Sequence, residues 1–299
     1  MLHTNQETDF HALNATTAST PTGATRRGAL QMLGLGYAAS TLPTLAQTAI
    51  KTSSEGLTSG EVTIEVNGFK VPAYRAFPTG KTKLPVILVI QEIFGVHEYI
   101  ADVVRRFAKA GYMAIAPELF ARQGDPGEYA EMAKLLSEIV SKVPDAQVMS
   151  DLDGVVAWAG AQGADTQKVG ITGFCWGGRI TWLYTAHNPN VKAGVAWYGR
   201  LVGESTTLTP KHPVNVAAGL NGPVLGLYGA ADTGIPLASV EQMKQALAVG
   251  SKSAKASEFV VYPDAPHAFH ADYRPSYRQA PAQDGWQRAL AWFKTHGVV

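Results

Sequence analysis

The feature that most constrains this chain is a run of six consecutive apolar positions, Pro85-Val86-Ile87-Leu88-Val89-Ile90. Side chains alternate between the two faces of a strand, so a run with no polar position must be covered on both faces. That is the situation of an inner strand in a parallel sheet. Comparable short runs return at 112–116, 168–172, 191–197, 224–228 and 258–262. Helical periodicity is predicted between and after them at 99–110, 128–140, 146–162, 177–187, 237–247 and 284–296. Strand and helix therefore alternate, which predicts an α/β architecture: a mostly parallel central sheet with helices on both faces. Ahead of the first buried run, alternating Val62 to Val66 is followed by Asn67-Gly68 and a second run from Phe69 to Phe77. Asn-Gly supplies the positive backbone angles of a two-residue turn, so this stretch is predicted to be an antiparallel hairpin at the sheet's edge.

The chain has 299 residues, 46% hydrophobic and 16% charged, with a formal net charge of +1. It can bury one large core, and the absence of any block of like charge argues against a nucleic acid or an anionic membrane surface as partner. A small molecule is the expected partner. The single cysteine, Cys175, has no second thiol to pair with, so it is either an inert buried side chain or a reactive group.

The first 50 residues read as an address rather than as fold. Arg26-Arg27 precedes a mildly apolar, glycine-containing stretch from Gly28 to about Ala46. This resembles a twin-arginine export signal, and the stretch is too short and too weakly apolar for a stable membrane span. The expectation is a leader over 1–50 handled by export machinery, with a periplasmic or exported protein, and one domain over 56–299. A disordered extension on a cytoplasmic protein is the alternative.

In an open parallel sheet, ligands meet the carboxyl ends of the strands, and the polar residues there are few: Glu92, Glu118, Arg122, Cys175, Asp232 and His267. Cys175 lies in Gly173-Phe174-Cys175-Trp176-Gly177-Gly178, between an apolar strand and a helix start. A nucleophile elbow requires that placement, because its sharp turn leaves room only for glycine two residues before and two after the nucleophile. The following helix also presents its positive end to the sulfur, which favours the thiolate. On the α/β-hydrolase fold, which is the architecture predicted here, a hydrolytic triad follows the chain order nucleophile, acid, histidine. Asp232, after the run ending at Tyr228, and His267, after the run ending at Tyr262, fall in that order. The backbone N–H groups of Ile93 and Trp176 are the candidate oxyanion hole.

The competing assignments are weaker. Asp264 shares a loop with His267 and more simply caps a turn. His97, His187, His212 and His296 are expected to be structural or superficial. His267, His270 and Asp272 lack the helical spacing of a zinc site, so neither a metal nor another cofactor is expected.

Together these segments resemble the dienelactone hydrolases (carboxymethylenebutenolidases). The resemblance rests on Gln91-Glu92-Ile93-Phe94-Gly95, Ala116-Pro117-Glu118-Leu119-Phe120-Ala121-Arg122, the cysteine elbow, Asp232, and His267-Ala268-Phe269. It implies hydrolysis of a lactone by a cysteine triad through an acyl-enzyme. It gives Glu92 the role of holding and releasing the thiol, and Arg122 that of binding a substrate carboxylate. Burial of Glu92 at a strand end is expected to raise its pKa. The family's second carboxylate-binding arginine would fall at Ala271, leaving Arg274 or Arg278 to take its place, with Arg274 chosen as the second substrate-binding residue. An esterase or thioesterase with another small ester is the nearest alternative, and a non-catalytic binding protein that retained the fold is the more distant one.

Overall fold

The structure, a computed structural model, describes residues 49–299. The leader expected over 1–50, with its arginine pair, therefore lies outside the described residues except for its last two positions. From Leu57 onward the strands form one eight-stranded sheet: β1 (Leu57–Val66), β2 (Phe69–Pro78), β3 (Pro85–Ile90), β4 (Met113–Pro117), β5 (Asp165–Phe174), β6 (Val191–Trp197), β7 (Val224–Gly229) and β8 (Glu258–Tyr262). Their order across the sheet is β1-β2-β4-β3-β5-β6-β7-β8. β1 pairs antiparallel with β2 and β2 antiparallel with β4, while the other pairings are parallel. The hairpin turns where the Asn-Gly pair predicts, with φ of 52° at Asn67 and 75° at Gly68.

The five longer helices are α1 (Glu98–Lys109), α2 (Asp145–Ala161), α3 (Trp176–His187), α4 (Leu237–Ala248) and α5 (Gln279–Thr295). β3 shows how they cover the sheet. Ile87 and Val89 pack in one core with Val103 and Phe107 of α1 and Phe293 of α5. Val86, Leu88 and Ile90 pack in the other with Val148, Leu152 and Val155 of α2. All six strand residues are buried, and each large aliphatic side chain so removed from water contributes about 1.5–3 kcal/mol. Alternate faces of one strand thus tie together both helical layers.

Two helices depart from expectation. The periodic stretch 128–140 is broken into a 3-10 turn at Pro126–Glu128, one α turn at Met132–Lys134, a π turn at Leu135–Ile139 and a 3-10 turn at Val140–Lys142. Leu135 and Ile139 are buried as the pattern requires. Ser137 and Ser141, however, donate side-chain hydrogen bonds to Lys134 O and Ser137 O, in competition with the regular ladder. α5 begins five residues earlier than expected, and its Pro281 lies in the first turn, where a missing N–H costs nothing.

Candidate active site

The elbow is built by close backbone contact. β5 delivers Cys175 at φ 54°, ψ −112°, and α3 starts at the next residue. A Cβ on Gly173 would lie 2.2 Å from Gly177 O, and one on Gly177 would lie 2.4 Å from Ile90 O and 2.5 Å from Gln91 O. No side chain of any kind fits either position. The second contact also presses the elbow against the end of β3, which brings the loop carrying Ile93 to the nucleophile. The Cys175 N–H donates to Trp197 O at 3.0 Å, fixing the turn to β6 as well. Arg179, one turn into α3, forms a two-pronged ion pair with Asp145 at 2.7 and 2.8 Å, locking the elbow helix to the start of α2.

The acid and the histidine arrive on loops after β7 and β8. Asp232 is buried, and its Oδ1 accepts from the N–H groups of Gly234 at 2.8 Å and Ile235 at 3.1 Å. These bonds aim Oδ2 at His267 Nδ1, 2.7 Å away. The imidazole also lies within the electrostatic reach of Cys175. Burial works against a charge on His267, but Cys175 and the hydrogen-bonded Asp232 carboxylate outweigh it, and the imidazole pKa is pushed up to about 10. Of the three residues placed in order along the chain, Asp232 and His267 are hydrogen-bonded, and Cys175 is near enough to act on the imidazole's charge. Asp264, the rival acid, is exposed.

Glu92 behaves otherwise than its burial alone predicts. Its desolvation would raise the pKa, yet His97, Arg274 and Tyr273 more than compensate, and the carboxyl lies below its ordinary range. Glu92 Oε2 accepts from the Tyr273 hydroxyl at 2.9 Å, with His97 Nε2 3.9 Å away, and Oε1 stands 3.8 Å from Arg274 Nη1. The expectation of a raised pKa is corrected because it counted desolvation and omitted the partners. Arg274, buried and with its guanidinium 5.8 Å from the Phe94 ring, joins this cluster beside Cys175.

Arg122 is engaged elsewhere. Its guanidinium donates to Asp151 of α2 at 2.6 and 3.3 Å and to Val66 O, and it lies 4.2 Å from the Phe69 ring centre. None of these partners is Cys175, His267, Asp232 or a member of the Glu92 cluster. The residues of the weak metal candidate also have other occupations. His270 Nδ1 bonds to the Tyr99 hydroxyl at 2.6 Å, and Asp272 pairs with Arg106 at 2.5 Å. Of the four histidines expected to be structural or superficial, His187 pairs with Asp153 at an exposed site, His212 bonds to Glu204 O, and His296 packs against Trp292 with the two rings tilted at 59°. His97 departs from its group by facing Glu92.

Comparison with known proteins assigns the frame. The sequence profile of the dienelactone hydrolase family matches residues 71–297. This chain belongs to the dienelactone hydrolase family. A Methylorubrum extorquens relative named "Putative carboxymethylenebutenolidase" is 61% identical over 268 residues, 89% of this chain and 91% of the relative. An Escherichia coli K12 relative of the same name is 54% identical over 263 residues, 88% and 96% of the two chains. A Klebsiella pneumoniae crystal structure titled as a dienelactone hydrolase superposes with a TM-score of 0.77 at 58% identity, covering 80% of this chain and 98% of that one. A dienelactone hydrolase-like promiscuous phosphotriesterase from metagenomic libraries, at 20% identity and a TM-score of 0.66, shares the fold. As a member of this family the protein is a carboxylic ester hydrolase, acting on a lactone or ester.

Three residues of this dienelactone hydrolase family member escaped the sequence reading: Tyr273, His97 and Tyr198. Tyr273 adjoins Arg274 in a segment already singled out, so its position was visible but its partner was not. His97 sits two residues past the Gln91–Gly95 motif, at the cap of α1, which gives no sign of a carboxylate contact. Tyr198 directly follows β6, the one inner-strand terminus from which no polar residue was taken. Among the described residues, Gln91 Nε2, Glu92 Oε1 and the Tyr198 hydroxyl are buried without a hydrogen-bond partner. Natural structures leave few such atoms, and they concentrate where a ligand completes the network.

Proposed function

We propose that this enzyme opens a lactone, or cleaves a small ester, through a thioester formed on Cys175. The observation that carries the reading is Cys175 on a strained elbow, beside a buried His267 imidazole that Asp232 holds at 2.7 Å. The Cys175 thiolate attacks the carbonyl carbon, forming the C–S bond and moving charge onto the carbonyl oxygen. The N–H groups of Ile93 and Trp176 hold that charge. Trp176 is the first residue of α3 and has no intrahelical acceptor for its N–H, and the Gly177 contact sets the Ile93 loop beside it. When the intermediate collapses, the C–O bond to the leaving oxygen breaks and His267 supplies the proton. The neutral imidazole then takes a proton from water, and the hydroxide attacks the thioester. The C–S bond breaks, releasing the acid and restoring thiolate and imidazolium. Asp232 holds the tautomer and orientation of the ring throughout.

An unsaturated lactone bearing a carboxylate is the substrate class that the family resemblance supports, with Arg274, whose charge interacts with Cys175, and Arg122 as the groups to receive it. The deciding experiment is turnover of such a lactone and of neutral aryl esters by the wild type and by Cys175→Ala. Loss of turnover to the level of uncatalysed hydrolysis is expected of the variant, whereas retained hydrolysis would remove Cys175 from the chemistry. We further propose that the chain is exported; the support is the Arg26-Arg27 segment, and detection of full-length protein only in the cytoplasm of a host with a working twin-arginine pathway would contradict it.

A further inference from the structure

Tyr198 combines two features that packing alone does not explain. Its backbone sits at φ 38°, in the left-handed region that a bulky side chain rarely occupies, and its hydroxyl is buried with no hydrogen-bond partner among the described residues. The bend has a structural cause: Gly199 must pass so close to α3 that a Cβ there would lie 2.3 Å from the Gly178 carbonyl carbon. The Tyr198 N–H also donates to Leu227 O at 2.8 Å, which pins the residue to β7. None of this requires an oxygen on the ring, because phenylalanine would fill the same space.

The ring stands edge-on to the catalytic imidazole, with centroids 5.2 Å apart and planes at 63°. Its hydroxyl shares its surroundings with Glu92, Tyr99 and Cys175; the Tyr99 hydroxyl, which adjoins it, makes its 2.6 Å hydrogen bond to His270 Nδ1 and leaves the Tyr198 hydroxyl outside hydrogen-bonding geometry. The leaving oxygen must come to lie beside the imidazole that delivers its proton. We infer that the Tyr198 hydroxyl donates a hydrogen bond to that leaving oxygen, making Tyr198 a catalytic residue of the acylation step. As the C–O bond breaks and its electron pair passes to the leaving oxygen, the hydroxyl stabilises the growing charge. The proton itself still comes from His267, and Tyr198 ends the cycle unchanged. Burial holds the phenol's pKa well above its ordinary value, so it donates without ionising.

This inference rests on the thioester mechanism proposed above. Its test is Tyr198→Phe, assayed as kcat/KM on esters that share one acyl group and differ in leaving-group pKa, from p-nitrophenyl to alkyl. The expected loss is roughly 100-fold for alkyl esters, at the lower end of the effect of removing one oriented donor, and less than about 3-fold for p-nitrophenyl. Deleting a buried hydroxyl that has no partner removes a desolvation cost, so Tm should stay the same or rise, and the rate of Cys175 alkylation should not change. An equal loss across the series, or none, would overturn the inference while leaving the mechanism standing if Cys175→Ala is inactive. Wild-type enzyme without turnover on the whole series, or an active Cys175→Ala, would overturn both.

Discussion

The two walls of the catalytic cleft are built on different principles. The elbow wall, from β5 through Cys175 into α3, is held by backbone packed against backbone, at distances that exclude even a methyl group at Gly173 and Gly177. The facing wall, made by the loop after β3 and the segment after His267, is held by side chains choosing partners: Glu92 with Tyr273, Arg274 and His97. The first tolerates no substitution and fixes where the sulfur lies. The second is held by side-chain pairs alone, which would have to rearrange to admit the charged substrate proposed above.

This contrast breaks most sharply at Gly177. Gly177→Ala puts a Cβ into two main-chain carbonyls, neither of which can move without shifting β3, and the expected outcome is little or no soluble, folded enzyme. Gly219→Ala, where nothing lies within 4 Å, should leave expression and Tm unchanged. If the two variants behave alike in expression and thermal melting, the elbow is not held by sterics.

Next in size is Asp232→Asn. The amide cannot act as an ion-pair partner and permits the wrong imidazole tautomer, so kcat should fall by about 10³–10⁴ with the fold retained, as measured by steady-state kinetics beside circular dichroism. On the facing wall, Tyr273→Phe removes one charge-assisted hydrogen bond from buried Glu92. A cost of about 1.5–3 kcal/mol of stability is expected by denaturant titration, together with a rise in the Glu92 pKa, since that bond lowers it.

These differences also explain what could be read from the sequence. Strand runs such as 85–90 and 224–228, the hairpin turn at Asn67-Gly68 and the glycine-flanked cysteine were legible because each reflects a local rule: two-faced burial, positive φ, or steric exclusion. The meeting of Asp232 and His267 was legible because strand order along the chain dictates which loops meet. The helix expected at 128–140 was misread because its apolar period hides two serines that rebond the backbone. Glu92 was misread because its partners Tyr273 and Arg274 lie more than 180 residues away, and no local pattern reports which side chain meets which across the cleft. The partner of Arg122, Asp151 on α2, was illegible for the same reason.

The smallest effect is electrostatic. The upward pKa shift of His267 depends in part on the sulfur's charge, so in Cys175→Ala the imidazole, followed by NMR, should titrate well below its wild-type value of about 10. The sign carries into stability. A folded-state pKa above the usual 6.5 gives a contribution that is complete below pH 6.5 and is lost as pH rises through about 10, and the variant should lose that contribution at lower pH.

The most direct measurement is intact-mass and peptide mass spectrometry of the enzyme quenched in acid during turnover of an activated ester. We expect one acyl group per chain, carried by the Cys175 peptide and absent from Cys175→Ala. Steady turnover with no acyl mass on that peptide, or with the group on another residue, would contradict the account.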